Sequence, residues 1–292
     1  RTRADAEQNG GSTSRMTAWV VAATIAAILT SVGVARHLSG DRQTQLGFQT
    51  QDSRRSSRTN RSRSNAPEYS FNVVNAFPHD DKAFCQGLAF DGTTIFESTG
   101  QYGKSTVRRV NLESGKPEKS LRLDRRLFGE GLTLFDGKVF QLTWKRQFGY
   151  IYDAETLKFI DTFRYAGEGW GLTHNGEHLI MSDGTDRLRF IDPKTFAVVK
   201  TIRVKDGRWP VQELNELEFV EGQIFANVWH SDRIAIISPD SGNVTGWIDL
   251  TGLLKARVGP EAVLNGIAYG DNRLFVTGKH WPQLFEIKLV KK

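Results

Sequence analysis

The chain has 292 residues and a formal net charge of +6, from 39 Lys and Arg against 33 Asp and Glu. Ten Arg and four acids lie before Pro67, and removing them leaves 39 − 10 = 29 cations and 33 − 4 = 29 acids. The neutral remainder excludes electrostatically driven nucleic-acid binding by the folded part. The single cysteine, Cys85, excludes an intrachain disulfide, a cysteine-type zinc site and a thiol redox pair.

Residues 1–15 form a polar tail. Met16–Ala35 comes next, an uncharged run rich in Ala, Val and Ile that is long enough to cross a bilayer core. Its end, Val32-Gly33-Val34-Ala35, also suits a signal-peptidase site. Anchor and cleaved signal both fit this segment, and its length favours the anchor. Arg residues flank it on both sides, so the positive-inside rule does not favour export of the C-terminal domain. Residues 36–66 are rich in Ser, Arg, Gln and Thr and read as a disordered linker, a solvated tether beside a membrane.

From residue 67 a short phrase recurs. It reads Gln86-Gly87-Leu88-Ala89-Phe90, Glu130-Gly131-Leu132-Thr133-Leu134 and Trp170-Gly171-Leu172-Thr173-His174, then Asn215-Glu216-Leu217-Glu218-Phe219 and Asn265-Gly266-Ile267-Ala268-Tyr269. The spacings between second residues are 44, 40, 45 and 50, the mark of one supersecondary unit repeated. A turn such as Asp91-Gly92, Asp136-Gly137 or Asn175-Gly176 comes after most phrases and leads into an apolar run, a strong hairpin signal. A second hairpin completes most units, as in Gly149–Ile160 and Leu188–Val199. No helical periodicity of useful length intervenes, apart from a short piece near residues 251–257. The expected fold of residues 67–292 is therefore all-β, a five-bladed β-propeller of four-stranded units. The last unit lacks a fourth strand, and the orphan strand Tyr69–Val74 is expected to supply it and cover the open edges.

In such a scaffold the first residue of each phrase lies near the central channel. Gln86, Glu130, Trp170, Asn215 and Asn265 then form a ring in which one carboxylate sits among amides and an indole. One strand later the equivalent positions are Gly100, Trp144, Gly184, Trp229 and Lys279. The two rings make an aromatic pocket with one acid and one ammonium, groups that channel filling alone does not call for. A buried Glu has a raised pKa suited to proton transfer. Amides and Lys can hold a developing oxyanion, and Trp faces can hold a cationic or aliphatic group. His37, His79, His174, His178, His230 and His280 show no metal-binding spacing and read mainly as surface or loop residues. No metal ligand set appears, which leaves at most a structural calcium on channel carbonyls. Cys85 reads as a packed small residue.

The wording of these repeats resembles the plant-type glutaminyl-peptide cyclotransferases, or glutaminyl cyclases, of plants and bacteria. The resemblance runs from about Tyr69 to Val290. It is carried by Phe84-Cys85-Gln86-Gly87-Leu88, Phe96-Glu97-Ser98-Thr99-Gly100, Phe128–Leu134, Gly169–Leu172, Leu214–Glu218, Gly246-Trp247 with Asp249-Leu250, and Val276–Pro282. It implies a five-bladed propeller that converts the N-terminal Gln of peptides or proteins to pyroglutamate with release of ammonia, without a metal cofactor. By the family pattern Glu130 is the general acid/base. Asn215, Lys279 and Gln86 bind and polarise the amide or oxyanion, and Phe84, Phe128, Trp144, Trp170 and Trp229 wall the pocket. Glu97 reads as structural, near the rim, and Asn265 has no assigned role. The resemblance also implies an exported domain, periplasmic in a bacterium, with membrane attachment through Met16–Ala35. A non-catalytic propeller that binds peptide N termini remains an alternative. So does a calcium-dependent, lactonase-like hydrolase, against which the carboxylate-poor ring argues.

Overall fold

The computed structural model describes residues 66–255 and 259–292. The tail, the Met16–Ala35 segment and the linker up to residue 65 lie outside the described residues. Within them the regular structure is all β. Strand β1 (Glu68–Pro78) comes first. One four-stranded antiparallel sheet contains β2 (Cys85–Asp91), β3 (Thr94–Thr99), β4 (Thr106–Asn111) and β5 (Pro117–Arg122). A second contains β6 (Gly129–Phe135), β7 (Lys138–Thr143), β8 (Phe148–Asp153) and β9 (Phe159–Arg164). A third contains β10 (Leu172–His174), β11 (Leu179–Ser182), β12 (Arg187–Ile191) and β13 (Val198–Arg203). The two-residue strands β14 (Lys205–Asp206) and β15 (Trp209–Pro210) form a small hairpin. The chain ends with β16 (Leu214–Val220), β17 (Gln223–Val228), β18 (Arg233–Ile237) and β19 (Val244–Asp249), then β20 (Leu264–Gly270), β21 (Arg273–Gly278) and β22 (Gln283–Lys291).

The orphan strand does what the repeat arithmetic requires. Residues Tyr69–Pro78 of β1 pair antiparallel with β22, so the first strand of the domain completes its last sheet. Glu68 and Tyr69 also pair in parallel with Trp247 and Ile248 of β19, which joins the last two groups into one eight-stranded sheet. The parallel contact has no sequence signal, because it involves only two residues. The helical expectation near 251–257 is not met: described residues 251–255 are turn and bend.

The inner strands pack in a closed series, β2 on β6, β6 on β10, β10 on β16, β16 on β20 and β20 on β2. This is a propeller-like arrangement. Apolar side chains fill the spaces between neighbouring sheets. Ala89, Phe96 and Val107 of the first sheet meet Leu132, Val139 and Tyr152 of the second. Cys85, Leu88 and Phe90 meet Ala268, Phe275 and Leu284 of the last. Alternation along each strand explains the pattern, since every sheet buries both faces between neighbours. The outermost strands of the first three sheets, β5, β9 and β13, are largely exposed.

Candidate functional site

The recurrent phrase marks a break in strand regularity. Pairing of the inner strand with its neighbour slips between Cys85 and Gly87, Gly129 and Leu132, Leu214 and Leu217, and Leu264 and Ile267. Gln86, Glu130, Asn215 and Asn265 fall inside these slips, and Trp170 lies just before β10. A bulge breaks the alternation of faces and re-aims the side chain it contains. The glycine after it has a packing reason. A Cβ on Gly131 would lie 2.6 Å from the Leu172 amide nitrogen of the next inner strand. In the fourth phrase Glu216 stands in the glycine's place. Its Oε1 accepts from the Leu88 amide at 3.3 Å and its Oε2 from the Ile267 amide at 2.8 Å, so it ties β16 to β2 and β20.

These slips deliver side chains to one cavity of about 210 Å³, lined by Phe84, Gln86, Phe128, Glu130, Trp144, Trp170, Asn215, Trp229 and Lys279, with Gln101 and Glu261. Every site residue expected from the sequence therefore lies on this cavity. The aromatic wall consists of two groups of rings in contact. Phe84 meets Phe128 at 6.0 Å between centroids, Phe128 meets Trp144 at 5.6 Å, and Trp170 meets Trp229 at 5.5 Å. The open positions of the second ring are explained by this wall. A Cβ on Gly100 would collide with the Phe128 ring, and one on Gly184 would come within 2.7 Å of the Trp170 ring.

The polar groups converge on Glu130, which is 4% exposed. Burial pushes its carboxyl well above the ordinary range; the Lys279 charge and a hydrogen bond from Gln86 oppose that rise, and the Glu168 charge adds to it. Burial likewise lowers Lys279, against the pull of Glu130. The Lys279 ammonium lies 4.6 Å from the Phe84 centroid and 5.8 Å from that of Trp229, on the cation-binding faces of both rings. Asn215 is buried, and its Oδ1 has no hydrogen-bond partner among the described residues. A buried acceptor left open in a cavity wall is available to a ligand donor.

Three residues without a sequence signal complete the site. The Glu168 carboxylate accepts from Trp144 Nε1 at 2.7 Å and Trp170 Nε1 at 3.0 Å, and so fixes two walls at once. Gln101 and Glu261 lie on loops outside the repeat phrase, where spacing gives no guide. The expectation of a single acid is therefore corrected, since Glu261 also lines the cavity and Glu168 acts on Glu130. Asn265 gains a place. Its Nδ2 donates to Gln86 Oε1 at 3.1 Å and to the Cys85 carbonyl at 3.0 Å.

Away from the cavity, two acids outside the ring, Glu216 and Glu218, are buried on β16. Glu218 accepts from the Tyr269 amide at 2.9 Å and the Thr173 hydroxyl at 3.1 Å, and burial pushes it up to about 8. His79 is not a surface residue, since its side chain is 6% exposed and Nε2 lies 3.0 Å from Glu97 Oε1. Arg108 joins the buried Glu97 to the partly exposed Asp80, so Glu97 is an interior group rather than a rim group. Cys85 is fully buried, and burial pushes its thiol up.

Comparison with known proteins is consistent in sequence and in fold. Residues 46–289 match the family model for glutamine cyclotransferase. A glutaminyl-peptide cyclotransferase of Arabidopsis thaliana is 47% identical over 225 residues, 74% of this chain and 70% of that protein. The crystal structure of Myxococcus xanthus glutaminyl cyclase superposes with a TM-score of 0.74 at 39% identity, over 78% of this chain and 99% of that one. The chain belongs to the glutamine cyclotransferase family.

Proposed function

We propose that the cavity cyclises the N-terminal Gln of a peptide to pyroglutamate and releases ammonia, with Glu130 as the group that moves the proton. The chain is a glutaminyl-peptide cyclotransferase by family and by its relatives. The observation that carries the mechanism is Glu130 itself, a buried carboxyl raised by its surroundings and flanked by Gln86 and Lys279.

The free α-amine of the substrate, with an ordinary pKa of about 8, attacks its own side-chain amide carbon once it is neutral. Both reacting groups belong to one residue, so an aromatic cage that holds it curled converts positioning into rate. As the C–N bond forms, Glu130 takes a proton from the attacking nitrogen. It returns that proton to the departing amide nitrogen, which leaves as NH₃ when the tetrahedral intermediate collapses. Glu130 ends as it began. A carboxylate of raised pKa accepts the first proton more readily than an ordinary one and still returns it to the more basic leaving nitrogen. Lys279 and the amide donors of Gln86 and Asn215 face the oxygen that becomes negative. The open Asn215 Oδ1 accepts from the substrate. No step is assigned to a metal.

In this reading the repeating four-stranded groups are the blades of a five-bladed propeller, the last closed by β1. The apolar Met16–Ala35 run supports a membrane anchor, and the family resemblance supports an extracytoplasmic domain on it. The direct test is a Gln-initiated peptide incubated with the protein. One ammonia is expected per peptide, with the matching mass loss, and strong chelators should leave the rate unchanged. Binding of the peptide without ammonia release would make the protein a recognition module.

A further inference from the structure

Beside the pocket lies a second cavity, of about 320 Å³, lined by Asp124, Arg126, Leu127, Arg146, Phe148 and Tyr150. Neighbouring residues of the same two loops line both. Leu127 faces the second cavity and Phe128 the pocket; on the next loop Trp144 faces the pocket and Arg146 the second cavity. This offset of one or two residues sets the backbone points about 3–7 Å apart, and the side chains add to that, so a few residues of an extended peptide bridge the two cavities.

The charges of the two cations differ in availability. Arg126 is held by Asp124, with Nε to Oδ1 at 2.9 Å and Nη2 to Oδ2 at 3.0 Å, so its charge is matched. Arg146 has no ion pair among the described residues, and it lines the cavity together with Leu127, Phe148 and Tyr150. The surrounding loops are polarised although the domain is formally neutral. Segments 100–105, 123–128 and 144–147 carry Lys104, Arg125, Arg126, Lys145 and Arg146, all exposed, against Asp124. Segments 166–171, 183–186 and 207–213 of the later sheets carry Glu168, Asp183, Asp186 and Glu213 against Arg208, with Glu168 paired to Lys145, Asp183 to Arg189 and Asp186 to Arg203.

We propose that this cleft is a substrate subsite, which takes an acidic side chain a few residues after the N-terminal Gln, with Arg146 as its carboxylate partner. The proposal rests on the cyclase reading, because only the Gln residue enters the pocket and the rest of the peptide must leave across this rim. A guanidinium beside aromatic rings is suited to a planar carboxylate. A basic side chain at the same point would meet several like charges.

The test uses the whole protein and three substrates: Gln-amide, a Gln-peptide with Glu at its third and fourth positions, and the same peptide with Lys there. Arg146 lies outside the reacting pocket, so Arg146→Ala and Arg146→Glu should leave Gln-amide turnover unchanged. For the wild type, kcat/KM should favour the acidic peptide by about threefold to tenfold at low salt, a range appropriate to one partly exposed ion pair. The preference should shrink in high salt, disappear in Arg146→Ala and invert in Arg146→Glu. Equal rates for the two peptides, or a preference that survives Arg146→Glu, would overturn the proposal. Absence of ammonia from Gln-amide itself would remove the cyclase reading and the subsite with it, so the two failures are distinct.

Discussion

Asn265 donates its Nδ2 to Gln86 Oε1 at 3.1 Å, and Gln86 donates in turn to the Glu130 carboxyl. The first contact uses the Gln86 oxygen and so directs its NH₂ toward Glu130. Asn265→Ala is expected to lower kcat about twofold to tenfold, the range of one neutral hydrogen bond. It should also move the acidic limb of the kcat/KM profile upward, because loss of an oriented donor raises the Glu130 pKa further. In a Gln86→Ala background the same change should have little added effect. Additive losses would show that Asn265 acts elsewhere.

Glu168 works in the opposite direction. Its negative charge raises Glu130, and its carboxylate holds the indoles of Trp144 and Trp170. Glu168→Gln removes the charge; both indoles already bond the one oxygen Oε2, and with a neutral amide oxygen those two contacts weaken. The acidic limb of kcat/KM should move to lower pH, while KM rises as the wall loosens. A pH–rate series on this variant and on Asn265→Ala checks the pair, since the two shifts must have opposite sign.

The His79–Glu97–Arg108–Asp80 chain joins the segment after β1 to β3 and β4, and His79 also bonds the Trp281 carbonyl at 2.6 Å. Although burial opposes charge on both, His79 holds Glu97 below its ordinary 4.5, and Glu97 holds His79 above its ordinary 6.5. The Glu97 contribution is present above 4.5 and is lost as pH falls through the lower folded value. The His79 contribution is complete below 6.5 and fades as pH rises through its higher folded value. Thermal melts should therefore show the full effect of the pair between those limits. Glu97→Gln should remove both dependences and cost about 3–5 kcal/mol, as expected when a buried charge loses its partner.

Glu216 stands where the other phrases have glycine, and it serves two backbone donors of neighbouring inner strands. Glu216→Gln keeps the volume but turns an NH₂ toward one of those N–H groups. An unpaired buried donor costs about 1–3 kcal/mol, which denaturant unfolding should register without any change in the Glu130 pH profile. A loss of activity in the still-folded variant would instead place Glu216 in the site.

The features legible in the sequence are those with a local or periodic cause. Turn pairs such as Asp136-Gly137 fix hairpins, and the repeat spacing places Gln86, Glu130, Trp170 and Asn215, with Trp144, Trp229 and Lys279 one strand later, at equivalent points, while Phe84 and Phe128 are named by the family resemblance alone. Features that depend on contacts between distant loops are silent there. Glu168 reaches its role through two indoles and carries no repeat signature. His79 meets Glu97 and Trp281 only because β1 returns to pair with β22. Spacing puts Asn265 in the ring, but its use depends on which way Gln86 points. The bulges themselves leave no compositional mark beyond the glycine after them.

In the proposed mechanism Glu130 carries the proton from the attacking amine to the leaving ammonia. Glu130→Gln keeps the shape of the side chain and cannot accept that proton. Its rate of ammonia release from a Gln-initiated peptide should fall by at least about a hundredfold, the lower range for a general acid/base. Its thermal midpoint should be unchanged or raised, since a buried carboxyl is replaced by a neutral amide. Near-full ammonia release by the folded variant would contradict the account.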